Sequence, residues 1–307
     1  MTVNAHLQTF LDKKIQDYSP ETRIFDPSQS AYRVSVDYDS AEEGMSVASI
    51  LDQLALDPKA GEIKELIIGA FDYESSESTE EIVGRLAELK DAFKNLKALF
   101  IGDITYEECE ISWIQQSDIS PILKAYPELE HLQVRGSDGL SFSDLQHDKL
   151  RTLIVETGGL RPNVIKEVNE ARLPALERLD LWLGSDNYGF ESTVDDFAPI
   201  LSGKTFPELR HLGLMNSEIQ DEITIAVTRA PILSQLKVLD LSMGTLTDKG
   251  GAALLESSAI RQLDYLNLRH HFLSDEMMAK LKTLGVRINV DHQGKDDEES
   301  RYAEVTE

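Results

Sequence analysis

The chain has 307 residues, 41% of them hydrophobic, and its 55 acidic against 30 basic side chains give a formal net charge of -25. So acidic a surface repels phosphate backbones and anionic headgroups, which speaks against nucleic acid and membranes as partners. The single cysteine, Cys109, excludes the disulfide-stapled secreted class.

No apolar run approaches the roughly 18 residues that would span a bilayer. The first residues, with His6, Asp12, Lys13 and Lys14 among apolar ones, lack the apolar stretch and small-residue cleavage site of an export signal. The expectation is a cytoplasmic protein. Residues 1–61 read as a leader and a degenerate capping repeat. Within them Tyr32, Val34 and Val36 alternate as a strand does, and Ser46 precedes Val47, Ile50, Leu51 and Leu54 at helical spacing before Asp57 and Pro58 stop the pattern.

From Ile63 onward an apolar triplet of the form L-x-x-L-x-L returns, with its central residue at Leu66, Leu99, Leu132, Leu153, Leu179, Leu212, Leu239 and Leu266. Its last two positions alternate in and out, so each triplet predicts one strand. Helical spacing fills the intervals. Ser78 and Glu81 make a capping-box pattern before Ile82, Leu86, Leu89 and Phe93; Ser120 with Pro121 starts a helix ended near Pro127; Ser274 leads Met278, Leu281 and Leu284 to a stop at Gly285. Parallel strands joined by such crossovers make a solenoid whose units bury their apolar sides only against their neighbours. The steps from Leu132 to Leu153 and on to Leu179 are short, which predicts a unit without a full helix. Val286, Ile288 and Val290 form the last strand, so the repeats occupy 62–292, and 293–307 is an acidic tail with too few apolar residues to pack, expected to be disordered.

The segments Leu236 to Leu255 and Leu263 to Leu281, each a strand triplet, a turn, and a helix opening at Thr or Ser plus Asp, resemble leucine-rich repeats of the ribonuclease-inhibitor type. The chain is similar to a group of bacterial cytoplasmic leucine-rich-repeat proteins. The resemblance implies an α/β horseshoe with a parallel inner sheet and outer helices. It also implies a non-enzymatic scaffold whose concave sheet holds a protein partner. One departure stands out: the Asn or Cys that the family places five residues after the central Leu is replaced by Phe71, Ile104, Ser137, Gly158, Gly184, Ser217, Gly244 and His271, although Asn216 lies one residue away. Glycines can make such turns at positive φ.

Residues flanking the central leucines are expected on the concave face. Among them Trp182, Arg178, Asp180, Phe100, Ile154, Arg135, His211, Met215, Tyr265 and Arg269 are the candidate protein-binding residues, since Trp, Tyr and Arg dominate binding hot spots. Trp182 beside Arg178 and Asp180 is the expected anchor. The negative charge favours a partner with a basic surface. An alternative is a regulator of a partner enzyme, such as a GTPase-activating protein, for which Arg161 and Arg172 are the loop arginines.

Catalytic, cofactor-binding and metal residues are not expected. Glu107, Glu108 and Glu110 would raise the Cys109 thiol pKa, and His270 and His271 are adjacent turn residues without further ligands. Phosphate-loop, H-E-x-x-H and G-x-S-x-G patterns do not occur.

Overall fold

The structure is a computed structural model describing residues 3–19, 21–72, 77–295 and 301–306. It is an α/β leucine-rich-repeat solenoid whose strands follow chain order in an open, mostly parallel sheet. The chain divides into two compact units between Leu153 and Ile154.

In the first unit, β1 (Thr9–Phe10) pairs antiparallel with β2 (Lys13–Asp17). From there β2, β3 (Ser30–Val34), β4 (Glu65–Ile68), β5 (Ala98–Ile101) and β6 (His131–Arg135) pair in parallel. The strand β7 (Thr152–Glu156) carries the division. In the second unit, β8 (Arg178–Gly184), β9 (His211–Ser217), β10 (Val238–Asp240), β11 (Tyr265–Asn267) and β12 (Arg287–Asn289) are parallel neighbours.

The leucine pattern maps onto this register directly. Leu66, Leu99 and Leu132 stand opposite one another in the first unit, and Leu179, Leu212, Leu239 and Leu266 in the second. Each of them, and Leu153, is fully buried. A buried Leu contributes roughly 2 kcal/mol relative to an exposed one, so the aligned leucines are the spine of each core.

Helices close the repeats behind the strands: α1 (Tyr38–Glu42), α2 (Val47–Ala55), α3 (Glu80–Glu88) and α4 (Ser120–Ala125) in the first unit. The second unit has α5 (Pro162–Asn169), α6 (Ala198–Leu201), α7 (Gln220–Arg229), α8 (Asp248–Glu256) and α9 (Asp275–Leu281). Ser46 and Ser274 cap α2 and α9 as their positions suggest, and Gly285 ends the last helical turn at φ 79°. The short step from Leu132 to Leu153 contains no helix, whereas the next step contains α5. Ser78 and Glu81 form no capping box. Thr79 takes the cap position of α3 and spends its hydroxyl on Gln116 Oε1 at 3.0 Å.

In place of an asparagine ladder, side chains from the start of one repeat's helix hold the next repeat. Asp221 Oδ1 accepts from the Thr247 and Gly250 amides, at 2.9 and 3.0 Å, and its Oδ2 from the Thr247 hydroxyl at 2.6 Å. Asp248 does the same for Ser274, at 2.8 Å to the amide and 2.7 Å to the hydroxyl. Asp118 bonds the amide and hydroxyl of Ser143. The turn after each strand of the second unit passes through a left-handed residue, and glycine is used only at Gly184 (φ 75°). Asn216, Met243, His270 and His292 adopt φ of 54°, 69°, 56° and 60°.

Of the expectations for the chain ends, the one for the tail changes. The N-terminal stretch is part of the first core: Phe10 packs with Ala31, Ile67, Ala98 and Phe100, joined by Leu7 and Ile15. Residues 301–306 do not stay unpacked either, because Ala303 and Val305 are buried. Positions 296–300 and 307 of the expected tail lie outside the described residues.

Candidate functional site

The row expected to face solvent is largely covered. Trp182, Phe100, Ile154, Arg135, Met215 and Asp180 are all buried. In the first unit the cause is visible. The Phe10 ring stands 6.3 Å from Phe100 and 5.2 Å edge-on from His131, and the Arg135 guanidinium lies over the Phe100 ring at 5.4 Å. Arg135 Nη1 also donates to the Ile104 carbonyl at 2.8 Å. Around this plug Lys13 donates to Glu65 at 2.6 Å, and Arg33 to Asp17 and Asp103 at 2.6 and 2.7 Å. Residues that an isolated sheet would offer to a partner are here used to hold the chain's own first residues. Apolar flanking side chains such as Ile67 and Phe100 favour this outcome, because leaving them in water would cost roughly 25 cal/mol per Å².

The second unit keeps a partly accessible and mostly polar row. In register across β8, β9, β10 and β11 stand Arg178, His211, Val238 and Tyr265, and Arg287 follows on β12. The row is organised by Asp180, whose Oδ2 accepts from Arg178 Nε and Nη2 at 2.8 and 2.6 Å. His211 Nε2 approaches Asp180 Oδ1 at 3.0 Å but off the ring N–H direction, so the attraction is mainly one of charge when His211 is protonated. Burial pushes the Asp180 pKa up, yet His211 and Arg178 outweigh it and hold the carboxyl below its ordinary value.

The neighbouring carboxyl behaves oppositely. Asp240 is raised by burial, only partly offset by hydrogen bonds from Ser242 and Asn267, with the Asp180 charge adding to the rise. Tyr265 completes the row, its ring carrying the Arg287 guanidinium at 4.6 Å. Arg178 and His211 keep 38% and 21% of their side-chain surface exposed, enough for contact from outside. Arg269 lies beyond the strand end and is tied to Glu304.

The anchor expected at Trp182 is thus corrected: its side chain is fully covered, and its indole Nε1 finds no hydrogen-bond acceptor among the described residues. Thr157 donates instead to the Trp182 carbonyl at 2.8 Å. Arg161 stands at the N-cap of α5 and Arg172 is an exposed loop residue. His270 and His271 are turn residues, with His271 Nε2 3.0 Å from the Val290 carbonyl and its Nδ1 accepting from the Leu273 amide. The Cys109 thiol is 3.6 Å from the Glu110 carbonyl.

A Bacteroides fragilis protein, solved by crystallography as a structural-genomics target, superposes with a TM-score of 0.82 at 34% identity, covering 89% of this chain and 76% of that one. The chain belongs to the family of that protein. An internalin from Listeria monocytogenes aligns at 15% identity and a TM-score of 0.40, over 78% of this chain and 56% of its own, too distant to bear on fold or function. No protein-family model matches the chain, and none of the curated proteins does. In this member of the Bacteroides fragilis protein's family, the row of the second unit sets the part-exposed Arg178 and His211 against the buried Asp180 carboxylate. Among the described residues no helix is long and apolar enough to cross a membrane.

Proposed function

We propose that the chain is a non-enzymatic, cytoplasmic protein-binding scaffold of the ribonuclease-inhibitor-like type, whose second unit presents Arg178, His211 and Tyr265 to a protein partner. Leucine-rich-repeat folds commonly serve as protein-binding scaffolds. The observation that carries the reading is the pair of hydrogen bonds by which buried Asp180 fixes Arg178 while leaving it more than a third exposed. A cation held in one geometry before contact loses little conformational entropy on binding, and Arg and Tyr are the side chains that most repay being so placed. The net charge of -25 supports a partner with a basic surface drawn in by the long-range field, with acceptor groups where it meets Arg178.

The test is a comparison of wild type with the Arg178→Ala/Tyr265→Ala double variant, first in quantitative affinity capture from cells and then with each purified partner. A hot-spot pair is worth roughly 2 kcal/mol or more, so affinity should fall about 30-fold. Wild-type affinity for every recovered partner, in a variant that circular dichroism shows to be folded at the assay temperature, would overturn the reading.

A further inference from the structure

The segment Tyr302–Val305 is bound by the turns of the second unit as a peptide ligand would be. Asn216 closes on Val305 from both sides, its Oδ1 accepting the Val305 amide at 2.9 Å and its Nδ2 donating to the Val305 carbonyl. The next turn supplies the Met243 carbonyl to the Glu304 amide at 2.8 Å. In the turn after that, His270 Nε2 lies 3.1 Å from the Tyr302 carbonyl.

Side chains are read as well as backbone. Arg269 makes a forked pair with both Glu304 oxygens, Nη2 at 2.6 Å from Oε1. Ala303 and Val305 are buried. The Tyr302 ring meets His270 and Phe272 edge-on, with centroids 5.2 and 6.2 Å away.

The gripping residues Asn216, Met243 and His270 are three of the four side-chain-bearing left-handed turn residues of the second unit, at φ 54°, 69° and 56°. Asn216 and His270 reach the bound segment with their side chains and Met243 with its backbone carbonyl, so three successive turns converge on one segment.

We infer that these turns form a peptide-binding groove for an extended acidic segment of the pattern Tyr, small residue, Glu, aliphatic, which the chain's own Tyr302–Val305 occupies until a partner's segment displaces it. Backbone hydrogen bonds supply affinity regardless of sequence, while the Arg269 fork and the covered aliphatic position select the ligand. A tethered segment is present at an effective concentration of the order of millimolar, so even weak binding keeps the groove filled. A competing peptide therefore sees an affinity lowered by the fraction of chains whose groove is open. The inference goes beyond the protein-binding face described above and uses none of the residues tested there.

The experiment measures fluorescence anisotropy of a labelled peptide of sequence RYAEVTE with the full chain. Two variants loosen the tethered segment: Val305→Asp, and Glu304→Ala, which keeps both buried apolar groups in case the first folds poorly. Either should bind the peptide at least about 10-fold more tightly than wild type. Adding Arg269→Glu should abolish that binding, and the charge-reversed peptide RYARVTE should restore it. Anisotropy no greater than that of a scrambled peptide in all chains, or binding indifferent to Arg269→Glu, would overturn the inference and leave the segment a structural tie.

Discussion

Gly213 leaves open the space that the Asp180 carboxylate fills: a Cβ at position 213 would stand 2.5 Å from Asp180 Oδ1 and 3.0 Å from Met215 Sδ. The Asp side chain is short and doubly bonded to Arg178, so it cannot swing aside without losing those bonds. Gly213→Ala should destabilise the chain by about 1–3 kcal/mol, the usual cost of overpacking, seen as a lower urea midpoint at unchanged slope. An unchanged midpoint would show that Asp180 is not confined.

Asp180 and Asp240 should titrate on opposite sides of the ordinary carboxyl value of about 3.9. The Asp180 pKa is depressed in the fold, so its ionised form stabilises the chain above the unfolded pKa, and that contribution is lost as pH falls through the folded value. The Asp240 pKa is raised, so its contribution is fully present below the unfolded pKa and is lost as pH rises through the folded one. Carboxyl-carbon NMR titration should place Asp180 below and Asp240 above the ordinary value. Asp180→Asn should cost stability at pH 7, with the difference from wild type shrinking in acid.

Removing the Phe10 ring should uncover the first unit's inner face. Phe→Ala in a packed site costs roughly 3–5 kcal/mol, and Phe10 lies on Phe100, Ile67, Ala31 and Ala98. Hydrogen exchange in Phe10→Ala should accelerate in residues 7–15 while the buried leucine rungs Leu66 and Leu99 stay protected. Unaltered exchange would contradict the plug.

Asp221→Ala should be among the costlier polar substitutions. It removes the acceptor of the Thr247 amide, the Thr247 hydroxyl and the Gly250 amide together. Hydrogen bonds to a charged group contribute about 1.5–3 kcal/mol, so a loss of at least about 2 kcal/mol in chemical denaturation is expected. The companion Asp248→Ala, acting on Ser274, should cost less because that site is exposed.

The repeats were legible because their cause is periodic: Leu179, Leu212, Leu239 and Leu266 share one burial environment, and the spacing announces it. The inner face was not. Whether Phe100 or Trp182 meets water depends on which distant segment folds over it, and contacts such as Phe10 to Phe100 have no repeat that advertises them. The Asp221 and Asp248 supports also escaped, since Asp near a helix start reads equally well as a favourable charge on its own helix. Asn216 showed a signal that could have been followed. It is an Asn one residue out of its expected place, and its side chain serves the Val305 backbone as well as the Thr157 carbonyl.

The central claim, that a protein partner sits against the second unit's polar row, is tested most directly by site-specific photocrosslinking in cells. A photoreactive residue placed at Tyr265 should give a discrete adduct with a partner protein, and the same probe at Glu276 on α9 should not. Adducts from Glu276 alone, or none from Tyr265 at full expression and unchanged fold, would contradict it.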